Sequence, residues 1–295
     1  MLRSVISFAC LTVAVVLAPL QAAVAEVNTL RSTSFGDSLT DNEPLYLLFG
    51  TDPAIYGADP FEAMFDKAAY ADDTLTNYAV VGSTSFDVLS QVRNYAQLRR
   101  SGQVAPATLV SLQGGGNDFL DTQNLLAFAS AAPGESPAVD RLAHDIEANL
   151  LKCLLLLERL DHPQFVLWTI PDVTLTPYVL SFGFTAHQQQ NIRAHVAEVN
   201  SFIQLLDYAP GIAVMDIAGT LTAVTFAPPI VDGVQLQPTP AFGFPSAIFA
   251  DPIHPTAVAN AILTNDMIYA INEEFDDDIE IYSDTELGNL ATITP

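Results

Sequence analysis

The sequence predicts an α/β protein with a central, mainly parallel five-stranded sheet covered by helices on both faces. Five short β-type runs alternate with longer amphipathic stretches, a pattern in which each helix returns the chain to start the next strand in the same direction. The 295 residues are 50% hydrophobic, enough to bury one large core. No internal repeat and no linker divides them.

The elements follow in order. A first extended segment ends at Phe35, and Tyr78 to Val81 gives a second. Thr108 to Leu112, Phe165 to Ile170 and Ile212 to Ile217 supply the remaining three. Helical periodicity covers Phe86 to Arg100, Ala138 to Leu160, Thr185 to Tyr208 and Thr256 to Phe275. In the second of these, Leu142, Ile146 and Leu150 recur at helical spacing and share one face. The expected folded domain is therefore residues 26–275.

Two stretches break the rhythm. Phe226 to Phe249 is rich in Pro and Phe and too long for an ordinary connection; it reads either as a substrate-contacting flap or as a plain surface loop. Residues 276–295 open with Asp276, Asp277 and Asp278 and read as a solvated acidic tail. Clustered carboxylates suit calcium, but the EF-hand spacing is absent.

Residues 1–25 have the features of a signal peptide: Arg3 for the positive start, an apolar Val5 to Leu20, and the small-residue site Ala23-Val24-Ala25. The alternative is a membrane anchor, for which the apolar run is short of the ~20 residues a span needs. Cleavage removes Arg3 and leaves 9 basic against 34 acidic residues, a net charge of −25. Such a surface repels nucleic acid and anionic membranes. The expectation is a secreted protein, extracellular or periplasmic, with no nucleic-acid partner and no stable membrane insertion. Of two cysteines only Cys153 outlasts cleavage, so no intramolecular disulfide can form, and its apolar setting suits a buried structural thiol.

Three segments hold residues suited to nucleophilic chemistry. In Phe35-Gly36-Asp37-Ser38-Leu39, a serine follows the first strand, at the sheet edge where open α/β folds bind ligands. Gly-Asp-Ser is equally ordinary turn and cap chemistry. In Asp251-Pro252-Ile253-His254-Pro255, a carboxylate three residues from an imidazole can bond Nδ1 and leave Nε2 free as a base; a capping Asp beside a surface His is the plain alternative. In Gln113-Gly114-Gly115-Gly116-Asn117-Asp118, after the third strand, Asn117 offers an amide to an oxyanion. The Lys and Ser/Thr of a phosphate-binding P-loop are missing there. Gly82, after the second strand, can add a backbone N–H.

The other histidines, His144, His162, His187 and His195, lack metal-ligand spacing and read as solvated surface residues. Neither a metal nor a cofactor is expected. Trp168, on the fourth strand, reads as core.

Taken together and in order, these segments resemble the GDSL, or SGNH, hydrolase family. Gly36-Asp37-Ser38-Leu39 is similar to its first block, Gly82 to its second, Gly115-Gly116-Asn117-Asp118 to its third and Asp251 to His254 to its last. Pro171 to Pro177 is similar to a segment of the secreted acylhydrolase branch. The resemblance implies a flavodoxin-like three-layer α/β/α sandwich and metal-free cleavage of carboxylic acyl esters through an acyl-enzyme. It assigns Ser38 as nucleophile, His254 as base, Asp251 as its orienter, and Ser38, Gly82 and Asn117 as oxyanion donors. The chain departs from the family in entering the first block from a polar strand, Leu30-Arg31-Ser32-Thr33-Ser34. The expected partner is a small-molecule or lipid ester, and the loop around Phe242 and Phe244 suggests an apolar acyl pocket that favours lipase-like or fatty-ester substrates. A carbohydrate acetylesterase and an inactive secreted binding module are the alternatives.

Overall fold

A computed structural model describes residues 26–41, 45–49 and 52–291; the expected signal peptide lies outside the described residues. Strands β1 (Arg31–Phe35), β2 (Thr74–Asn77), β3 (Leu109–Leu112), β4 (Gln164–Trp168) and β5 (Ile212–Met215) form one sheet. Their order is β2-β1-β3-β4-β5 and every pairing is parallel. That is the flavodoxin-like order, in which winding reverses between β1 and β3 and opens a crevice at the carboxyl ends of those two strands.

Side chains alternate across the sheet with the period of 2 that strands impose. Val110, Leu112, Phe165, Leu167 and Ile212 point into one core. It is shared with α3 (Ser85–Arg100), α5 (Thr122–Ser130), α6 (Pro137–Asp161) and α8 (Ala186–Leu206). Leu109, Val166, Trp168, Ala213 and Met215 point into the other. That one is shared with α2 (Pro60–Ala68), α9 (Ile217–Phe226) and α10 (Ala257–Phe275). The result is a three-layer α/β/α sandwich. Between these helices lie the short α1 (Leu45–Phe49), α4 (Gly116–Leu120) and α7 (Pro177–Leu180). Cys153 is fully buried in the first core, as expected, and burial pushes its thiol up to about 12.

The second strand falls earlier than expected. It is Thr74–Asn77, and Tyr78 to Val81 forms the turn after it. An edge strand paired on one side needs little apolar character, and β2 is largely exposed. The apolar signal came instead from Tyr78, which stacks on Phe35 at 5.3 Å.

The polar first strand packs without conflict. Ser32, Thr33 and Ser34 are all buried. Ser32 and Ser34 pair with Leu109 and Ser111 on one face. Ser32 Oγ donates to the Thr29 carbonyl at 3.1 Å, and Ser111 Oγ accepts from Trp168 Nε1 at 2.8 Å. Small hydroxyls with partners cost little to bury.

Residues 226–249 are more ordered than a plain loop. They form β6 (Ile230–Val231) paired with β7 (Val234–Gln235), and β8 (Gln237–Phe242) paired with β9 (Ala247–Phe249). Val231, Leu236, Ile248 and Phe249 are buried in the second core.

The expected acidic tail is also corrected. Asp276, Asp278 and Glu280 are exposed while the alternating Ile279 and Ile281 turn inward against the core. Asn272 and Asn265 of α10 each bond this extended run twice: Asn272 with Ile279 at 2.8 and 3.1 Å, Asn265 with Tyr282 at 2.8 and 2.7 Å. Asp277 accepts from Val27 N, and α11 (Asp284–Leu290) closes the described chain. The run of acids concealed a two-residue apolar alternation.

Among the described residues, no helix is long and apolar enough to cross a membrane.

Candidate active site

The turn after β1 places Ser38 at the switch point. Thr40 N and Asp41 N both bond the Asp37 carbonyl, which folds Asp37 to Asp41 into a tight turn. Gly36 is required there, because a Cβ would lie 2.2 Å from Thr40 Oγ1 and 2.8 Å from Gln113 Oε1. Ser38 is 5% exposed.

The second group arrives from the far end of the chain. Between β9 and α10, Asp251 Oδ1 accepts from Ile253 N at 2.7 Å and His254 N at 2.9 Å, so the carboxylate shapes its own turn. Ala250 N bonds the His254 carbonyl, Tyr178 N bonds the Pro252 carbonyl, and Thr256 caps α10. Asp251 Oδ2 then accepts from His254 Nδ1 at 2.7 Å. His254 Nε2 lies 2.8 Å from Ser38 Oγ, across a separation of 216 residues. The histidine is 6% exposed, and the Phe49 ring lies 5.7 Å from it.

Burial raises the pKa of Asp251, but the hydrogen bond and charge of His254, with the N–H groups of His254 and Ile253, outweigh it. The carboxyl is held below the usual range and stays ionised. When the imidazole is neutral, this bond at Nδ1 leaves Nε2 unprotonated and facing the hydroxyl.

Asn117 stands on α4 after β3. Gly115 precedes that helix at φ 103°, and a Cβ there would meet Ile170 Cδ1 at 2.6 Å. The Asn117 amide donates to Asp37 Oδ2 at 3.1 Å and to the Ser83 carbonyl at 3.0 Å, so both its N–H groups are engaged. Gly82, one residue before Ser83, takes a left-handed turn at φ 81° and lies outside the pocket walls. Among the described residues neither its N–H nor that of Ser38 has a hydrogen-bond acceptor.

An apolar cavity of about 40 Å³ adjoins Ser38 and His254, walled by Leu39, Leu120, Val173, Leu175, Phe249 and Ile253. Phe249 supplies the aromatic wall expected from Phe242 and Phe244. Those two are 45% and 38% exposed and do not line it. Phe242 ends β8 and Phe244 lies in the bend after it, whereas Phe249 on β9 is turned into the second core.

Sequence reading missed the supporting polar groups. Gln113 and Asp37 hold each other, and burial pushes Asp37 up despite bonds from Gln113, Leu39 N and Asn117 and the His254 charge. Asp118 accepts from Ser85 N and Oγ, joining α4 to α3, and burial pushes it up to about 6. His195 is another correction. It is fully buried against Phe128, and Nε2 donates to the Ala131 carbonyl at 3.1 Å. Its helical spacing with Ile192, Val196 and Val199 was the available signal. His144, His162 and His187 are exposed, as expected.

Comparison with known proteins extends this picture. The structure is similar to a lipase, Lip_vut3, from a goat rumen metagenome, with TM-score 0.55 and 16% identity over 82% of this chain and 97% of that one. It is also similar to a variant of an acetyl-xylooligosaccharide esterase from Geobacillus stearothermophilus, with TM-score 0.50 and 16% identity over 85% and 96% of the two chains. At such identities the likeness is one of fold. No curated protein matches the sequence. A family match, to GDSL-like Lipase/Acylhydrolase, covers residues 33–267 and so takes in both the β1 turn and the His254 turn. By that match this chain belongs to the GDSL-like lipase/acylhydrolase family.

Proposed function

We propose that this protein is a serine hydrolase that cleaves carboxylic acyl esters through an acyl-enzyme. The observation that carries the reading is the unbroken chain of hydrogen bonds from Ser38 Oγ through His254 to Asp251, beside an apolar cavity. As Ser38 Oγ attacks the ester carbonyl, its proton passes to His254 Nε2, and Asp251 stabilises the imidazolium. The carbonyl oxygen becomes an oxyanion facing the free N–H groups of Ser38 and Gly82. Asn117 adds a third donor by turning from Asp37 or Ser83. Collapse expels the alcohol with the proton from His254, and water repeats the sequence to release the acid.

The apolar walls suit the acyl part of the substrate. As it stands, about 40 Å³ admits only a few heavy atoms, which favours short acyl groups; longer ones need the walls to part. This observation also supports the acetylesterase reading. Rates on p-nitrophenyl esters of rising acyl length separate the two: activity confined to acetyl excludes a lipase. We also infer secretion, from residues 1–25, and N-terminal sequencing of the exported protein should begin at Glu26.

Ser38→Ala should abolish turnover, and a fluorophosphonate should label Ser38 alone. Retained turnover in the variant overturns the proposal. An unlabelled, inactive protein would instead favour the binding-module reading.

A further inference from the structure

We infer that Tyr56 is a positioning residue that sets the Asp251 carboxylate, and through it the basicity of His254; this rests on the reading of Ser38, His254 and Asp251 given above. Tyr56 is 2% exposed, and its hydroxyl donates to Asp251 Oδ2 at 2.9 Å across 195 residues of chain. That oxygen is the one that accepts from His254 Nδ1. With Oδ1 bound to two backbone N–H groups, Tyr56 completes the four hydrogen bonds a carboxylate can accept.

The hydroxyl is held where it is by the element that follows His254. Asn260, on α10, donates from Nδ2 to the Tyr56 carbonyl at 3.0 Å. Gly57 lies so close to α10 that a Cβ would meet Ala257 Cβ at 2.8 Å. The ring sits in a small core with Leu45, Ile55 and Ala250, the last adjoining Asp251. The segment after the first block is thereby clamped onto the last one. A loose aromatic filler would need none of these polar anchors.

The hydroxyl dipole has a definite electrostatic sense. Its positive end faces Oδ2 and opposes the imidazolium that forms at His254, while it fixes the oxygen that orients the ring. Without it, one lone pair of a buried carboxylate is unpaired, and the carboxylate binds the imidazolium proton more strongly. The other titratable groups facing this assembly are Asp37 on the β1 turn and Tyr46 beside Leu45. Asp41, Asp59 and Glu62 line a cavity that Tyr56 also borders.

Tyr56→Phe removes one oxygen and keeps the ring. On a short p-nitrophenyl ester, kcat should fall about tenfold with KM unchanged. The acid limb of the pH–rate profile should move about half a unit to higher pH. In an Asp251→Asn background the same change should cost little further rate. A variant with the wild-type kcat and acid limb overturns the inference, as does one that loses only thermal stability. If Tyr56→Phe does not fold, fluorotyrosine at position 56 keeps the shape and strengthens the donor. It should shift the acid limb to lower pH, and an unmoved limb refutes the inference. Absence of ester turnover in the wild-type protein would instead refute the underlying assignment.

Discussion

Gln113 grips Asp37 at both ends: its Oε1 accepts from Asp37 N at 2.9 Å, and its Nε2 donates to Asp37 Oδ2 at 2.9 Å. The residue that follows β3 thus holds the one before Ser38 through a single buried amide. Gln113→Leu keeps the bulk and strands Asp37 N, so stability should fall by about 1–3 kcal/mol. Gln113→Glu replaces the donor with a second carboxylate, and its loss should be greater at pH 8 than at pH 5. Urea unfolding at both pH values checks this; equal losses would mean the pair is not electrostatically coupled.

Asp251 stays ionised well below neutrality, because its hydrogen bonds from His254 and Ile253 outweigh burial. The proposed base must be unprotonated at Nε2 to take the Ser38 proton, so the rate should be lost on acidification. Asp251→Asn keeps the shape but offers Nδ1 a donor in place of an acceptor, and kcat should drop by roughly 10³–10⁴. A profile flat to pH 4, or a variant within tenfold of wild type, would remove His254 and Asp251 from the proposed roles.

Most of this architecture was legible in the sequence. Four of the five strands and the long helices were readable because buried elements carry their period openly, as Leu142, Ile146 and Leu150 do. The residues proposed for the chemistry stood out through the joint order of their segments and the family resemblance that order carries, since Gly-Asp-Ser and Asp-x-x-His are each ordinary turn chemistry alone. What escaped was two-sided. β2 is an exposed edge whose Thr74-Leu75-Thr76-Asn77 has no apolar signature. Tyr56, Gln113 and Phe249 matter through partners 195, 76 and no fixed number of residues away, and spacing along a chain does not reveal such pairings.

Two glycines separate backbone strain from crowding. At Gly115, φ is 103° and a Cβ would lie 2.6 Å from Ile170 Cδ1 and 2.9 Å from Ile146 Cγ2. Gly115→Ala combines both penalties and should cost about 3 kcal/mol or more, with loss of activity because α4 carries Asn117. At Gly82, φ is 81° but no atom lies within 4 Å of a Cβ. Gly82→Ala should cost about 1–2 kcal/mol from strain alone. Equal costs in thermal or urea unfolding would contradict the crowding around Gly115.

Stability and activity should part company as pH falls. Burial pushes Asp59 and Glu147 up to about 7 and Asp118 up to about 6, against an unfolded value of roughly 4. Folded pKa values above unfolded ones mean the native state binds more protons in that window. Their contribution is fully present below about 4 and is lost as pH rises through 6 to 7. The melting temperature should therefore rise from pH 8 to pH 5 while ester turnover declines. Asp59 is the sharpest probe, because its side chain caps α2 by accepting from Phe61 N and Glu62 N. Asp59→Asn keeps an amide oxygen for that cap and cannot ionise. It should exceed wild type in melting temperature at pH 8 and match it at pH 5. A variant less stable at both would show that the Asp59 carboxylate is bound in the fold as an anion, contrary to the direction its burial imposes.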